Sequence, residues 1–238
     1  MSAARGPRPL PSGTVHIDAL ILALGGLRQR TARIDRWGAH LADVLVRGGR
    51  LLAAGNGGSA AQAQHLTAEL VGRYRDERLP LSAIALHAET STTTAICNDY
   101  GADAVFARQV LAYGRPGDVL VLLSTSGSSS DVLRAAEAAA QVGIRTWALT
   151  GPGPNPLSRA VEETVCIDAP STATVQELHL VALHLLCAAV DVRLRIAPPD
   201  GACSPVLTAD RRQRRAADWV GIDRPERRSA DRAREVSA

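Results

Sequence analysis

Two turns in this chain carry residue types that bind anions without a cationic side chain. Gly55-Asn56-Gly57-Gly58-Ser59 offers glycines, an amide and a hydroxyl; residues 124–130 (STSGSSS) offer five serines and a threonine around one glycine. Each turn follows a short apolar run and precedes a helical pattern. Backbone N–H groups at such a helix start, supplemented by hydroxyls, cradle a phosphate. Ordinary turn and capping chemistry, with Ser59 and Ser129 as N-caps, explains either turn taken alone. Two of them in one domain favour phosphate binding. Their glycine spacing fits neither a dinucleotide fingerprint nor a Walker loop.

The titratable candidates lie on helical patterns. His65 and Glu69 are four residues apart and share one helix face. A lone pair of this kind is more often a surface hydrogen bond than a metal site. Near the C-terminal end, Gln176, His179 and His184 interrupt a long apolar stretch, where a single buried histidine usually just finds a hydrogen-bond partner. Eight helical residues rise about 12 Å, so Gln176 and His184 do not meet one ion from a single straight helix. Either Gln176 lies at a non-helical entrance to that helix, or the two serve a shared site in different subunits.

Composition removes several classes of chemistry. All 27 basic residues are arginine, and no lysine is present. Schiff-base aldolases, pyridoxal-phosphate enzymes and lysine-dependent P-loop kinases are thereby excluded. The net charge of +3 sits in residues 211–238, with nine arginines against five acids, which leaves the body near neutral and unlike a nucleic-acid-binding domain. Hydrophobic residues make up 46% of the chain but aromatics only 3%, so Ala, Leu, Val and Ile must build the core. Cys97, Cys166, Cys187 and Cys203 are scattered, with no CxxC spacing. The N-terminus lacks the apolar run of a secretory signal, and no uncharged segment is expected to span a bilayer. The chain reads as cytoplasmic.

The elements that must position these residues follow from periodicity. Residues 1–14 form a Pro/Gly/Arg-rich flexible lead-in, and 16–48 read as one broken or two consecutive helices, with Gly25-Gly26 as the interruption. Strands at 50–54, 82–86, 119–123, 144–149 and 165–167 alternate with helices at 59–74, 102–112, 130–142 and 174–196. That alternation predicts an α/β fold: a doubly wound parallel sheet flanked by helices, flavodoxin-like, with an N-terminal helical segment. The domain is expected to span 15–197, followed by an Arg-rich disordered tail over 198–238.

An ordered series of motifs carries a resemblance. GNGGSAAQAQHLTAEL from 55, GRYR at 72–75, ND at 98–99, STSGSSS, ALTG and QELHLVALH together resemble the sugar isomerase (SIS) domain proteins, and among them the phosphoheptose isomerases, over residues 16–196. The resemblance implies conversion of sedoheptulose 7-phosphate to D-glycero-D-manno-heptose 7-phosphate through an enediol. It places substrate contacts at Asn56, Gly57, Gly58, Glu69, Asn98, Asp99, Ser124, Thr125, Ser126, Ser129 and Gln176, with the hydroxyl-rich turn and Ser59 at the phosphate. It implies Glu69 as base and His184 as acid, a zinc ion held by His65, Glu69, Gln176 and His184, and a homotetramer with active sites between subunits. Some members carry Asp-Arg where this chain has Ala173 and Thr174. Two other readings remain: an isomerase of another phosphosugar, and a non-catalytic SIS protein that binds a replication initiator. The latter lacks the acid/base pair, whereas Glu69 and His184 are both present here.

Overall fold

The computed structural model describes residues 13–196. Most of the lead-in and the whole Arg-rich tail therefore lie outside the described residues. Two helices come first: α1, Gly13–Arg28, and α2, Thr31–Val46. The break falls at Gln29-Arg30, whose N–H groups close a tight turn onto the carbonyls of Gly26 and Leu27. Gly25 and Gly26 lie inside α1, contrary to expectation. Glycine costs a helix only about 1 kcal/mol relative to alanine, and the buried Ala23 and Leu27 hold this stretch down on either side.

Five parallel strands follow. They are β1 (Leu51–Gly55), β2 (Ala83–Ala85), β3 (Val119–Ser124), β4 (Arg145–Thr150) and β5 (Glu163–Cys166), in the order β2-β1-β3-β4-β5. Between them run α3 (Gly58–Val71), α4 (Thr90–Tyr100), a 3-10 turn at Ala102–Ala104, α5 (Val105–Tyr113), α6 (Ser130–Val142) and the short α7 (Pro156–Ala160). The chain ends its described part in α8 (Thr172–Ile196). This is the doubly wound arrangement, and α3, β3 and α6 match their sequence-based expectations within a few residues.

Side-chain alternation sends each strand to both faces of the sheet. Leu51, Ala53, Val119, Val121, Leu123 and Leu149 pack beneath α1, α2, α3 and α8. Leu52, Ala54, Leu120, Leu122 and Ala148 pack beneath α4, α5, α6 and α7. Trp37 of α2 stacks on Trp147 of β4 with ring centroids 4.9 Å apart, a rare aromatic anchor in an otherwise aliphatic core. By length and composition α8 is apolar enough to cross a membrane, which departs from the expectation that no segment would be. Half of that stretch is buried inside the domain, where it covers one face of the sheet.

Two helices escaped the periodicity. In α4 (TSTTTAICNDY) only Ile96 is buried, so no apolar stripe marks it. Its start is set instead by Glu89, whose carboxylate accepts from the N–H groups of Ser91 and Thr92. Those bonds, from Thr92 first, hold the Glu89 carboxyl below the usual carboxylate range. The five-residue α7 begins at a capping box formed by Asn155 and Ser158.

Candidate active site

In an open parallel sheet, ligands bind beyond the carboxyl ends of the strands, where the strand order reverses. Here that point lies between β1 and β3, the strands that lead into the two Gly- and Ser-rich turns. The first turn passes through Gly57 at φ 53° and ψ −121° into α3, a conformation that favours glycine. Gly57 is thus the N-cap, and Ser59, buried at 3% exposure, lies inside the helix instead of capping it. Asn56 reaches across the switch point, and its amide donates to both carboxylate oxygens of Asp131 in the first turn of α6 (3.0 and 2.8 Å).

The second turn is a compact hydroxyl cluster. Ser124 Oγ lies 3.4 Å from both Ser126 Oγ and Ser129 Oγ, and it accepts from the Gly127 N–H at 3.1 Å. Ser129 occupies the N-cap position of α6, yet its side chain makes no capping bond there. Its hydroxyl faces the cluster instead. Gly127 has φ 62°, and a Cβ there would overlap the Asn155 side chain. The Thr125 carbonyl accepts from Gly151 N–H at the end of β4. Asn155 therefore supports the turn from behind, a role that no pattern in the sequence marked.

Beside these turns, α3 and α8 run side by side and bring three of the singled-out side chains together. His65 Nε2 is 3.1 Å from Glu69 Oε1 and 3.2 Å from His184 Nε2, and one ligand atom from each residue falls within 4.8 Å of the others. The Tyr74 ring lies over His184 at 5.5 Å between centroids. His65 is exposed, while Glu69 and His184 are half-buried. Two imidazoles and a carboxylate so placed can hold a divalent metal ion. Cys187, one turn beyond His184, does not join them. Burial first, then the Glu69 and Asp191 carboxylates, push its thiol up to about 12 against the opposing Arg78 guanidinium.

The structure does not bring Gln176 to this cluster within one protomer. Its side-chain amide occupies the space beside Gly58, where a Cβ would come within 2.5 Å of Nε2. Gly58 and Gln176 thus meet two turns before His65 and His184 do, about 10–12 Å away along both helices. Gln176 lies inside α8, not at a non-helical entrance, because the helix already begins at Thr172. Thr174 is buried and shares a hydrogen bond with Ser171. Asn98 and Asp99 end α4, exposed and joined to each other at 2.8 Å. Among the described residues, no hydrogen bond links either of them to the cluster or the serine turn. A groove of about 590 Å3 lies at the other edge of the sheet, lined by Arg30, Arg33 and Glu163 among others. It contains none of the singled-out residues, and chemistry favours the switch point over volume.

His179 belongs to the fold. It is fully buried, and its ring lies near the Thr150 backbone without a hydrogen bond of good geometry. Burial lowers its pKa from 6.5 to about 4. Above pH 6.5 the ring is neutral in both folded and unfolded chains. As pH falls from 6.5 toward 4, only the unfolded chain gains the proton, so stability drops across that window. We expect a loss on the order of 3 kcal/mol by pH 4, from a shift of this size. His179→Leu should flatten the slope of denaturation free energy between pH 7 and 5; an unchanged slope would exonerate this residue.

Together with this doubly wound sheet and its two hydroxyl- and glycine-rich turns at the switch point, residues 19–151 match the SIS domain family. The chain is 67% identical over 179 residues, 75% of its length and 78% of the relative's, to a phosphoheptose isomerase of Streptomyces coelicolor. A phosphoheptose isomerase structure from Neisseria gonorrhoeae superposes with a TM-score of 0.69 at 38% identity, covering 75% of this chain and 96% of that one. Another from Francisella tularensis gives 0.70 at 31% identity, with the same coverage. Among SIS-domain proteins the chain belongs to the phosphoheptose isomerase family, a family of aldose–ketose isomerases.

Proposed function

We propose that this chain interconverts sedoheptulose 7-phosphate and D-glycero-D-manno-heptose 7-phosphate. The observation that carries the reading is the meeting of Glu69 and His184, from two different helices, in one cluster with His65. Ser124, Thr125, Ser126 and Ser129, with the start of α6, hold the phosphate. Asn56, Gly57 and Gly58 hold the sugar, with Asn98, Asp99 and Gln176 completing the contacts. Glu69 takes the proton from the carbon next to the carbonyl and returns it to the neighbouring carbon. His184 donates a proton or hydrogen bond to the carbonyl oxygen as the enediol forms.

The donor set fits zinc: His65, Glu69 and His184 would hold it in one protomer. When bound, the ion would supply Lewis-acid stabilisation to the oxygen that gains charge. A carboxylate bound tightly to metal is a weaker base, so the share of time Glu69 spends free sets its value as a base. Gln176, remote from its own His184, reaches such a cluster only if it comes from another copy. This supports an oligomer with sites shared between copies, in line with the homotetramer that the resemblance implies, as does the exposed apolar strip of Ile17, Ile21 and Leu24 on one face of α1.

The test is an isomerase assay with sedoheptulose 7-phosphate, with zinc added or chelated. Turnover that chelation removes supports the whole reading. No turnover from a folded, zinc-loaded protein would shift the assignment to another phosphosugar or to a non-catalytic binding protein. We also expect deletion of 198–238 to leave activity and oligomer mass unchanged, as measured by the same assay and by light scattering; loss of either would make the tail part of the enzyme.

A further inference from the structure

We propose that the buried Arg78–Asp191 ion pair is a positioning device that holds Glu69 in register with His184; the inference rests on the assignment of those two residues to the site. Arg78 leaves the loop after α3 and turns back beneath the end of that helix. Its Nη2 donates to the Glu69 carbonyl, and its Nη1 donates to the carbonyls of Leu70 (2.8 Å) and Leu79 (2.9 Å). The last carbonyls of a helix lack partners in the helix itself, so the guanidinium completes the turn that carries Glu69. Its Nε donates to Asp191 Oδ1 at 3.0 Å.

Asp191 lies on α8, seven residues beyond His184, so it faces the same side of the helix two turns on. The planar fork therefore ties the backbone of one site residue to the helix that carries the other. Both side chains are sequestered, Arg78 at 10% and Asp191 at 8% exposure. Asp191 Oδ2 is buried with no hydrogen-bond partner among the described residues, so within them the carboxylate depends on this one guanidinium. Stability alone does not call for such a pair, because well-packed apolar residues usually serve a buried position as well or better. A rigid bidentate-capable cation that reaches helix carbonyls and a carboxylate at once serves alignment, and lysine cannot copy its geometry.

The experiment compares the full-length wild type with Arg78→Lys, Asp191→Asn and Asp191→Ala, all checked for native circular dichroism. Co2+ binding is titrated by its ligand-field absorbance, and kcat and KM are measured on sedoheptulose 7-phosphate. Arg78→Lys and Asp191→Ala should bind Co2+ roughly 10–100-fold more weakly, with a parallel fall in kcat and a KM within about threefold of wild type. Asp191→Asn keeps the acceptor for Arg78 and should stay nearer wild type than Asp191→Ala. Folded Arg78→Lys with wild-type Co2+ affinity and kcat would overturn the proposal, and it decides the matter even if Asp191→Ala does not fold. A wild type that turns over no heptose phosphate refutes the isomerase assignment, while the Co2+ comparison still judges the pair. A wild type that binds no Co2+ refutes the metal reading, and the kcat comparison then judges it.

Discussion

Glu69→Gln is expected to lower kcat by roughly 10²–10⁴-fold, the range a positioned general base contributes, while the protein stays folded. The substitution is nearly isosteric. An amide oxygen can still accept from His65, and the Arg78 contact to residue 69 is made through its backbone carbonyl. What disappears is the group that can take up and release a proton. Because Glu69 is half-buried at the edge of α3 and packs no core space, melting temperature should move little. KM should change less than kcat, since the serine turn proposed to hold the phosphate is untouched. Steady-state kinetics and a thermal melt on the same sample check all three expectations. Near-normal turnover would remove Glu69 from the role of base.

Gly127→Ala is expected to produce the second large effect, on stability and on substrate binding together. At φ 62° an alanine pays about 1–2 kcal/mol for the left-handed backbone alone. Its Cβ would also overlap the Asn155 side chain, which caps α7 and donates to Thr150 Oγ1 and the Pro152 carbonyl. Displacing Asn155 breaks that network, so we expect a total loss of about 2–4 kcal/mol, as for other overpacked or strained buried sites. The serine turn shifts with it, and KM should rise at least about tenfold, equivalent to about 1.4 kcal/mol of binding. A strain-free comparison is Ser124→Ala with Ser129→Ala, which removes hydroxyls but keeps the backbone. It should raise KM with a smaller change in melting temperature. If Gly127→Ala melts normally and binds normally, the turn is more plastic than its contacts imply.

Much of this was legible because it is local. Long apolar runs such as Val119–Leu123 bury both faces of a strand and have few other uses. Glycine and serine punctuation then marks where such a strand must end at a helix. The motif order from Asn56 to His184 named the candidate site residues, and three of the four expected metal ligands meet in the fold. Helix α4 was illegible for the opposite reason: a polar surface helix with one buried residue has no period to read, and its start depends on a single glutamate cap.

Residue types, the absence of lysine, the place of the two Gly- and Ser-rich turns and the parallel class of the sheet were thus determined by the sequence alone. The order β2-β1-β3-β4-β5, which sets both turns at one switch point, came only with tertiary structure. So did the union of His65 and His184, which are 119 residues apart along the chain, and the separation of Gln176 from them. The tie between Asn56 and Asp131, the support of Gly127 by Asn155, and the bridge from Arg78 to Asp191 have no signature of spacing at all. Periodicity reports which face of an element is buried, because burial repeats with the element's own geometry. Which partner meets that face is settled by the packing of elements distant in sequence, and chemistry that needs two such elements becomes visible only when they meet.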